Sequence, residues 1–597
     1  MRLPSIDAVV TTAVRTARRF PLVLASAALA TAAALETTRT GSGPEPTRLL
    51  LAASLGLPLF FALTVLAERY PASSPQRWAI PSAGIFVLAA FWAMWTGWSS
   101  PVQTLRYVQL SVAFHLFAAF APYTGSNRPG GFWQYNRILF LRFLTAYLYT
   151  VVLYGGIAIA LLAVDKLFSV PIHGENYLRL FIVIAFLFNT WFFLGGIPEN
   201  LESLDERPDY PAGLRVFTQY VLVPIVVLYL AILTVYLAKV VFTREWPNGW
   251  IGYLVSSVAV VGLLSWLLIH PLEERAEYAW VKGFTRGFYI ALMPAIVMLW
   301  LAIYKRVSEY GVTEPRYFLV VLSVWLAGIA VWYTATRSRN IKIIPASLCA
   351  LAVITFAGPT GAYSVSQASQ ERRLERILAQ DGVLENGHVR ISARDVPFRD
   401  RREISGTLRY LLASHGPGAI GAWLPDSVRR VLPVAPARYG SDGEARTVMA
   451  SLHVEYVAPN EVMGGGDYFG LNTGSPHDAI AISGYTYAIR LSYWNINDSL
   501  KVGDDYMLRW AADSTALELS RGGTVALSIP LEPVADSGLA FRRARGGGVT
   551  IPQETLRVEA GDSTAAALLY LTMLAGHSRP GGAKLNSLAG TLFLRVR

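Results

Sequence analysis

A series of long apolar runs in the first 360 residues most constrains what this chain can fold into. Each run approaches the roughly 20 residues that an α-helix needs to cross the hydrocarbon core of a bilayer. Several runs carry Trp or Tyr at their ends, where such side chains favour the membrane interface. Together they predict a polytopic α-helical membrane domain of about eleven transmembrane helices. The runs lie near residues 20–35, 49–67, 78–98, 107–122, 138–164, 177–196, 216–242, 250–269, 288–303, 318–333 and 341–359.

The first run has two interpretations. It follows Arg15, Arg18 and Arg19 and ends near the small residues 32–34, an arrangement that also occurs in cleaved signal peptides. Because further spans follow and no secreted domain comes next, we expect an uncleaved first helix.

The pattern of the chain changes after Gly361. We expect a polytopic transmembrane domain over residues 1–360, a mainly helical juxtamembrane region over 361–460, and a β-rich domain over 461–597. Amphipathic periodicity predicts helices at 366–380, 404–414 and 444–456, and Asn386-Gly387 predicts a hairpin turn. Alternating runs separated by Gly, Asp and Asn predict an antiparallel sheet or sandwich. These runs are 480–487, 506–510, 517–519, 525–529 and 591–596.

The positive charge of the chain lies in its membrane half. Of the net charge of +11, +10 precedes Gly361, which fits the orientation of membrane loops better than nucleic-acid binding. With the N-terminus in the cytoplasm, the inside segments hold 17 Lys and Arg, against about 8 outside. We therefore predict a cytoplasmic N-terminus and an extracytoplasmic C-terminal domain. The single cysteine, Cys349, excludes a disulfide within the chain.

The stretch of sequence with the most distinctive residue pattern is a polar connector. It lies between the run that ends near 303 and the run that starts near 318. It contains a charged pair flanked by tyrosines that suit the membrane interface. It could be an anchored helix connector, a ligand site, or a polar dock for the external domain. The candidate functional cluster consists of Tyr310, Gly311, Thr313, Glu314, Arg316 and Tyr317.

Four polar residues fall within or at the ends of the spans: His115, Asn189, Lys239 and His270. Ionisable groups in a bilayer are costly and often bind ions or relay protons. A lone histidine among apolar neighbours is more often a helix-contact group. His270, next to Glu273 and Glu274, could do acid–base work or form a polar helix end.

Several segments resemble a known family. They are Trp246-Pro247-Asn248-Gly249-Trp250, the stretch 261–265 with His270-Pro271-Leu272, the connector from Arg306 to Tyr317, and Ile344-Pro345-Ala346-Ser347-Leu348. The resemblance, from about Phe140 into the early C-terminal region, is to the bacterial multi-pass membrane proteins grouped as domain of unknown function 4153. It implies a bacterial inner-membrane setting, and it implies no substrate, cofactor or catalytic residue.

No catalytic, cofactor or metal signature stands out in the sequence, so we expect no cofactor and a non-enzymatic role ahead of an enzymatic one. The bilayer is the expected partner, with envelope proteins or lipid-linked molecules as further ones and no nucleic acid. The leading hypothesis is an envelope sensing, scaffolding or assembly protein. The alternatives are a transporter or lipid-handling protein, and a polytopic lipid-linked glycosyltransferase-like enzyme.

Overall fold

Two groups of residues, each compact by its own contacts, make up the fold in this computed structural model. The first unit is Met1–Arg390 with Thr407–Glu444, and the second is Ile391–Gly406 with Ala445–Arg597. The expected boundaries at 360 and 460 stay predictions. The structure describes residues 6–40, 43–95, 100–125, 128–205, 210–243, 251–336, 340–390, 395–420, 424, 428, 430, 432, 442–459, 467–473, 482–495, 498–503, 505–545, 551–561, 565–579 and 582–596.

The first unit is helical. π-helical turns join α7 to α8 and α9 to α10, over Ile184–Phe188 and Thr218–Leu222. The helices up to the end of the membrane half are α1 (Ile6–Arg19), α2 (Pro21–Thr40), α3 (Pro44–Ala67), α4 (Gln76–Met94), α5 (Pro101–Phe120), α6 (Pro129–Phe168), α7 (Gly174–Val183), α8 (Asn189–Leu194), α9 (Ala212–Phe217), α10 (Val223–Thr243), α11 (Ile251–Ile269), α12 (Trp280–Tyr310), α13 (Glu314–Thr336) and α14 (Ile343–Ile354).

Within the described residues, nine helical segments are long and apolar enough to cross a membrane. They correspond to nine of the eleven predicted runs, and the other two runs form α5 and α14. The 20 residues of α5 include Gln103, Arg106 and Gln109, which lower its apolar character. The 12 residues of α14 reach only about 18 Å. The predicted fold class, a multi-pass helical region followed by antiparallel sheets, is confirmed. The predicted number of about eleven transmembrane helices is approximate.

The surface of the long helix α6 fits a lipid environment. Phe143, Val152 and Ile159 are 61%, 64% and 69% exposed, although all three are strongly apolar. In water, such a surface would be costly. Bilayer hydrocarbon removes that cost, so the exposure of these side chains on more than one side of α6 fits a helix surrounded by lipid.

Polar contacts join loops at one end of the helices. The Arg19 guanidinium donates to both oxygens of Glu68 at 2.7 and 2.9 Å, and to the Ile197 carbonyl at 2.8 Å. Further contacts link the same loops: Arg69 donates to the Thr124 carbonyl, Lys342 Nζ donates to the Tyr123 carbonyl at 3.0 Å, and the Gly131 amide donates to Asp205 at 2.6 Å. We call this set of loops the first face.

A different set of loops meets at the opposite helix ends. The Ser100 hydroxyl, at the start of α5, donates to the Ser414 carbonyl at 2.7 Å. The Tyr317 hydroxyl, near the start of α13, donates to the Thr360 carbonyl at 2.7 Å. We call this set the second face. Ser100 directly precedes α5 and Thr124 follows its end by four residues, so α5 runs from the second face to the first.

Three α-helices of ten or more residues follow the membrane half in the described residues before the sheets of the second unit. They are α15 (Ala362–Gln380), α16 (Phe398–His415) and α17 (Asp442–Ser451). Strands β1 (Leu384–Glu385) and β2 (His388–Val389) pair around Asn386-Gly387, whose φ angles are +51° and +76°. Positive φ at both central residues is the geometry of a type I′ hairpin, as the sequence predicts. The first two predicted helices are present, and the third ends at Ser451 rather than near 456.

Two antiparallel sheets form most of the second unit. One has the order β3-β10-β11-β4 with β9 paired to β10, and the other has the order β5-β6-β7-β8. The elements are β3 (Asp467–Asn472), β4 (Tyr487–Asn495), β5 (Ser499–Val502), β6 (Tyr506–Trp510), β7 (Ala516–Arg521), β8 (Thr524–Pro530), α18 (Glu532–Arg545), β9 (Arg557–Gly561), β10 (Ala565–Arg579) and β11 (Gly582–Val596). Leu508 and Leu517 of one sheet share an apolar core with Leu571 and Leu592 of the other.

The strand predicted at 480–487 is wrong for most of its length. Residues 480 and 481 lie outside the described residues, and 482–486 are not extended strand: a turn lies at 483–484, and β4 begins at Tyr487. A Gly484 φ of +92° explains the difference, because this backbone conformation interrupts an extended strand.

Candidate functional site

The connector between α12 and α13 turns at Gly311. The Gly311 amide donates to the Val307 carbonyl at 2.9 Å and closes the last turn of α12. Its φ of +70° and ψ of 179° lie in a region that essentially only glycine occupies. A Cβ at this position would also lie 2.7 Å from Gln370 Nε2. Both the backbone angle and the close approach of α15 therefore require glycine here.

Helix α15 supplies hydrogen-bond partners for backbone groups of the connector. Gln370 is 3% exposed, and its Nε2 donates to the carbonyls of Tyr310 and Val312 at 2.9 and 3.0 Å. The Val312 amide donates to Ser369 Oγ at 2.9 Å. Buried backbone groups need such partners. The connector is consequently held by side chains of α15 as well as by its own helices.

The other members of the predicted cluster serve the same turn. Arg316 Nη1 donates to the Gly311 carbonyl at 2.7 Å, and its guanidinium lies 5.6 Å from the Tyr310 ring centre. The Thr313 carbonyl accepts from the Tyr317 amide at 2.9 Å in the first turn of α13. The structure thus brings all six predicted residues to one place at the second face.

Glu314 is the buried charge of this cluster. It is 3% exposed, although it is the first residue of an apolar helix. The Tyr410 hydroxyl donates to Oε2 at 2.6 Å, and His415 Nε2 lies 3.0 Å from Oε1. Both partners come from α16, so the carboxylate links the start of a spanning helix to the juxtamembrane helix. We call Glu314, Tyr410 and His415 the dock.

The environment of the dock favours a neutral phenol beside a carboxylate. Burial and the negative charge of Glu314 raise the pKa of the Tyr410 phenol well above its usual range. The position of Glu314 at the N-terminus of α13 also favours negative charge, because unpaired amides carry partial positive charge there. Removing either partner would leave a buried carboxylate poorly compensated.

The arrangement is suited to attachment. A carboxylate, a phenol and an imidazole are directed at one another. Among the described residues, no group of three or more His, Cys, Asp and Glu side chains is placed to hold a metal ion.

Two of the intramembrane candidates share a cleft. His115 and Asn189 both line a cleft of about 370 Å³ whose other walls are mostly apolar. Asn189 Nδ2 donates to Thr150 Oγ1 at 2.9 Å, and His115 Nδ1 lies 2.7 Å from the Ser111 carbonyl. Asn189 directly follows the π-helical turn, a feature that often occurs at functional positions.

The other two candidates lie apart from this cleft. Lys239 is exposed near the end of α10, where a lysine can extend its ammonium to the interface. His270 is 9% exposed, with Nδ1 3.4 Å from Glu273 and its ring 5.5 Å from that of Trp266. The Trp266 ring in turn contacts Tyr289 and Tyr333, so His270 adjoins an aromatic cluster.

A family model described as a domain of unknown function, DUF4153, matches residues 23–400 of the chain. The chain belongs to the DUF4153 family. An uncharacterized protein of Pasteurella multocida (strain Pm70) is 25% identical over 398 residues, which are 65% of this chain and 63% of that protein. The chain therefore aligns with less than two thirds of this relative's length. No solved structure matches the chain significantly.

The predicted resemblance to DUF4153 is thereby confirmed, and the match begins earlier than residue 140. The DUF4153 region includes the connector and all of α15. Tyr410 and His415 follow residue 400 and so lie beyond the matched residues.

The sequence did not single out Gln370, Tyr410 or His415. Tyr410 is 96 positions from Glu314, and no periodicity connects residues so far apart. One signal was available. A carboxylate at the first turn of an apolar helix, if buried, needs donors from elsewhere in the chain.

Proposed function

We propose that this protein is a multi-pass protein of the bacterial inner membrane that serves as a platform for envelope sensing, scaffolding or assembly. Its N-terminus lies in the cytoplasm, and the connector and C-terminal region lie on the extracytoplasmic side. The family match and the nine apolar helical segments among the described residues support a membrane protein of unknown activity.

The loop contacts support the proposed orientation. The first face joins loops that all belong to the predicted cytoplasmic set: Arg19, Glu68, Ile197, Thr124 and Lys342. Those predicted cytoplasmic segments hold 17 Lys and Arg, against about 8 in the external loops. Basic loops are retained in the cytoplasm during insertion, so the first face is assigned to the cytoplasm.

The dock is the observation on which the platform function depends. It fixes α16 to the start of α13 through a buried carboxylate with two partners. Helix α16 contains residues of both units: its part up to Gly406 belongs to the second unit, and its part from Thr407 belongs to the first. The dock thus attaches the segment that leads into the C-terminal region to a membrane-spanning helix, as a membrane platform requires.

Photo-cross-linking in living cells tests this function. A benzophenone amino acid at Met507 or Val525, which are 41% and 45% exposed, should yield adducts with envelope proteins. The matched position is Tyr70, which is 41% exposed in a predicted cytoplasmic loop. Adducts with cytoplasmic proteins from Met507 and Val525, or no adducts beyond those from Tyr70, would contradict the proposal.

A second candidate, a transporter or lipid-handling protein, is favoured by the cleft that His115 and Asn189 share. In reconstituted vesicles, this function predicts substrate flux that Asn189→Ala reduces, with the photo-adducts unchanged. Flux that is equal in the variant and the native protein would remove the support that the cleft provides.

A further inference from the structure

A cleft of about 470 Å³ opens beside the connector. The start of α11, the last turns of α12 and the start of α13 form its walls. It is separate from the dock, since neither Tyr410 nor His415 lines it. Its position at the ends of three spanning helices puts it at the level of the membrane interface.

Cationic side chains line one part of the cleft. Lys305, Arg306 and Arg316 all border it, and Glu309 is the one carboxylate among the described lining residues. Lys305 and Arg306 are exposed, and Arg306 lies near enough to Arg316 for the two charges to repel. Among the described residues, no ion pair is formed by Lys305, Arg306 or Arg316. The described residues that line the cleft therefore carry two more positive charges than negative ones.

The remaining walls are apolar. On α12, Leu299 lies about two turns and Ile303 less than one turn before Lys305 and Arg306. Leu319 lies about one turn after Arg316 on α13. Along α12, apolar side chains thus come first and charged ones follow towards the helix end. A lipid has the same order from the membrane interior to its surface, with acyl chains first and the headgroup last. A free anion would use the charges and leave these walls unused.

We propose that this cleft binds one anionic phospholipid, with its phosphate at Lys305, Arg306 and Arg316 and an acyl chain against Leu299, Ile303 and Leu319. Guanidinium groups bind phosphate oxygens in pairs, and basic residues at the membrane surface attract anionic lipids. The walls remove acyl carbons from contact with water and bulk lipid. The proposed lipid site does not depend on which side of the membrane the connector faces. A negative result for lipid binding is therefore distinguishable from a negative result for the platform function.

Native mass spectrometry of the full-length protein in detergent tests the site. The probes are phosphatidylglycerol, phosphatidylcholine and soluble glycerol phosphate. We expect retention of phosphatidylglycerol over phosphatidylcholine, and a loss on the order of tenfold in K305Q/R306Q. The matched control is K282Q/R286Q, which removes two exposed cations near the opposite end of α12 and should leave retention unchanged.

A second variant tests the acyl-chain part of the cleft. Ala302 lines it, so Ala302→Phe should reduce phosphatidylglycerol retention while every charge remains. Equal losses in the two double variants, retention unaffected by Ala302→Phe, or glycerol phosphate binding as tightly as the lipid would each overturn the proposal. Both double variants should elute as folded protein, because the charged groups that they replace donate no hydrogen bond within the described residues.

Discussion

Glu314 shows at the scale of one residue how the membrane half is joined to the juxtamembrane helices. A carboxylate that is 3% exposed loses most of its hydration, and this loss must be offset by nearby donors. The Tyr410 phenol donates to Oε2 at 2.6 Å, and the His415 imidazole lies 3.0 Å from Oε1. The free energy of attachment of α16 therefore depends on both side chains.

Replacing Tyr410 with Phe should loosen α16. The change removes a hydrogen bond to a charged acceptor, which is worth about 1.5–3 kcal/mol. Hydrogen exchange of the backbone amides of residues 407–415 should become faster by roughly tenfold to a hundredfold, because about 1.4 kcal/mol corresponds to a tenfold change in an equilibrium constant. Tyr304→Phe is the matched control, since Tyr304 is 75% exposed on α12. Equal exchange rates in the two variants would contradict the role of the dock.

Gly311→Ala should destabilise the connector. Its φ of +70° with ψ of 179° is costly for any residue with a Cβ, and that atom would lie 2.7 Å from Gln370 Nε2. We expect a loss of about 1–3 kcal/mol in the free energy of unfolding, measured by reversible denaturation in mixed micelles.

Gly328→Ala provides the comparison for Gly311→Ala. A Cβ at Gly328, within α13, would meet nothing within 4 Å. Alanine is favoured over glycine inside a helix by up to about 1 kcal/mol, so this variant should be neutral or more stable. Similar losses at both positions would show that Gly311 has no special conformational role.

The sequence predicted the six connector residues as a candidate functional cluster. It did not identify the residues that form hydrogen bonds with them. The connector stood out because polar and aromatic residues interrupt two apolar runs, which is a local pattern. Gln370 and Tyr410 lie 60 and 96 positions from their partners Tyr310 and Glu314. Their roles depend on how helices pack, and neither residue type nor spacing records that packing.

Among the helices, α5, α14 and α15 are linked by one buried glutamine. Gln109 is 8% exposed. Its Nε2 donates to the Ala352 carbonyl and to Thr355 Oγ1 at 2.8 and 2.9 Å, and its Oε1 accepts from the Tyr363 hydroxyl at 2.8 Å. The polar residues that lower the apolar character of α5 thus include one that attaches it to two neighbours.

A double-mutant cycle measures this link. Gln109→Leu and Tyr363→Phe each leave a buried polar group without its partner, at a cost of about 1–3 kcal/mol. The double variant should cost less than the sum of the two, with a coupling free energy of about 0.5–3 kcal/mol in the same unfolding assay. Strictly additive costs would mean that the two side chains stabilise the fold independently.

Elements with strong periodicity were predicted, and elements without it were missed. The long apolar helices and α15 follow directly from their residue patterns. The hairpin of β10 and β11 is 15 residues on each strand, yet only its last part was predicted. Both faces of β10 carry buried residues, such as Leu568 and Leu569, so apolar and polar residues do not alternate there.

For the whole molecule, the distribution of basic loops between the two faces favours a cytoplasmic first face. The first face collects the basic loops, and the second face collects the connector, the start of α5 and the start of α15. Because α5 runs between the faces, it counts as a crossing even though its composition is less apolar than that of the other spans.

The sidedness of single cysteines tests the central claim most directly. In a Cys349→Ala background, Ser308→Cys reports the connector, Ala72→Cys the loop after α3, and Thr124→Cys the loop after α5; all three positions are exposed. In spheroplasts, a membrane-impermeant maleimide should label position 308 at once, and positions 72 and 124 only after permeabilisation. Labelling of all three from one side, or of 72 and 124 from outside, would contradict the account.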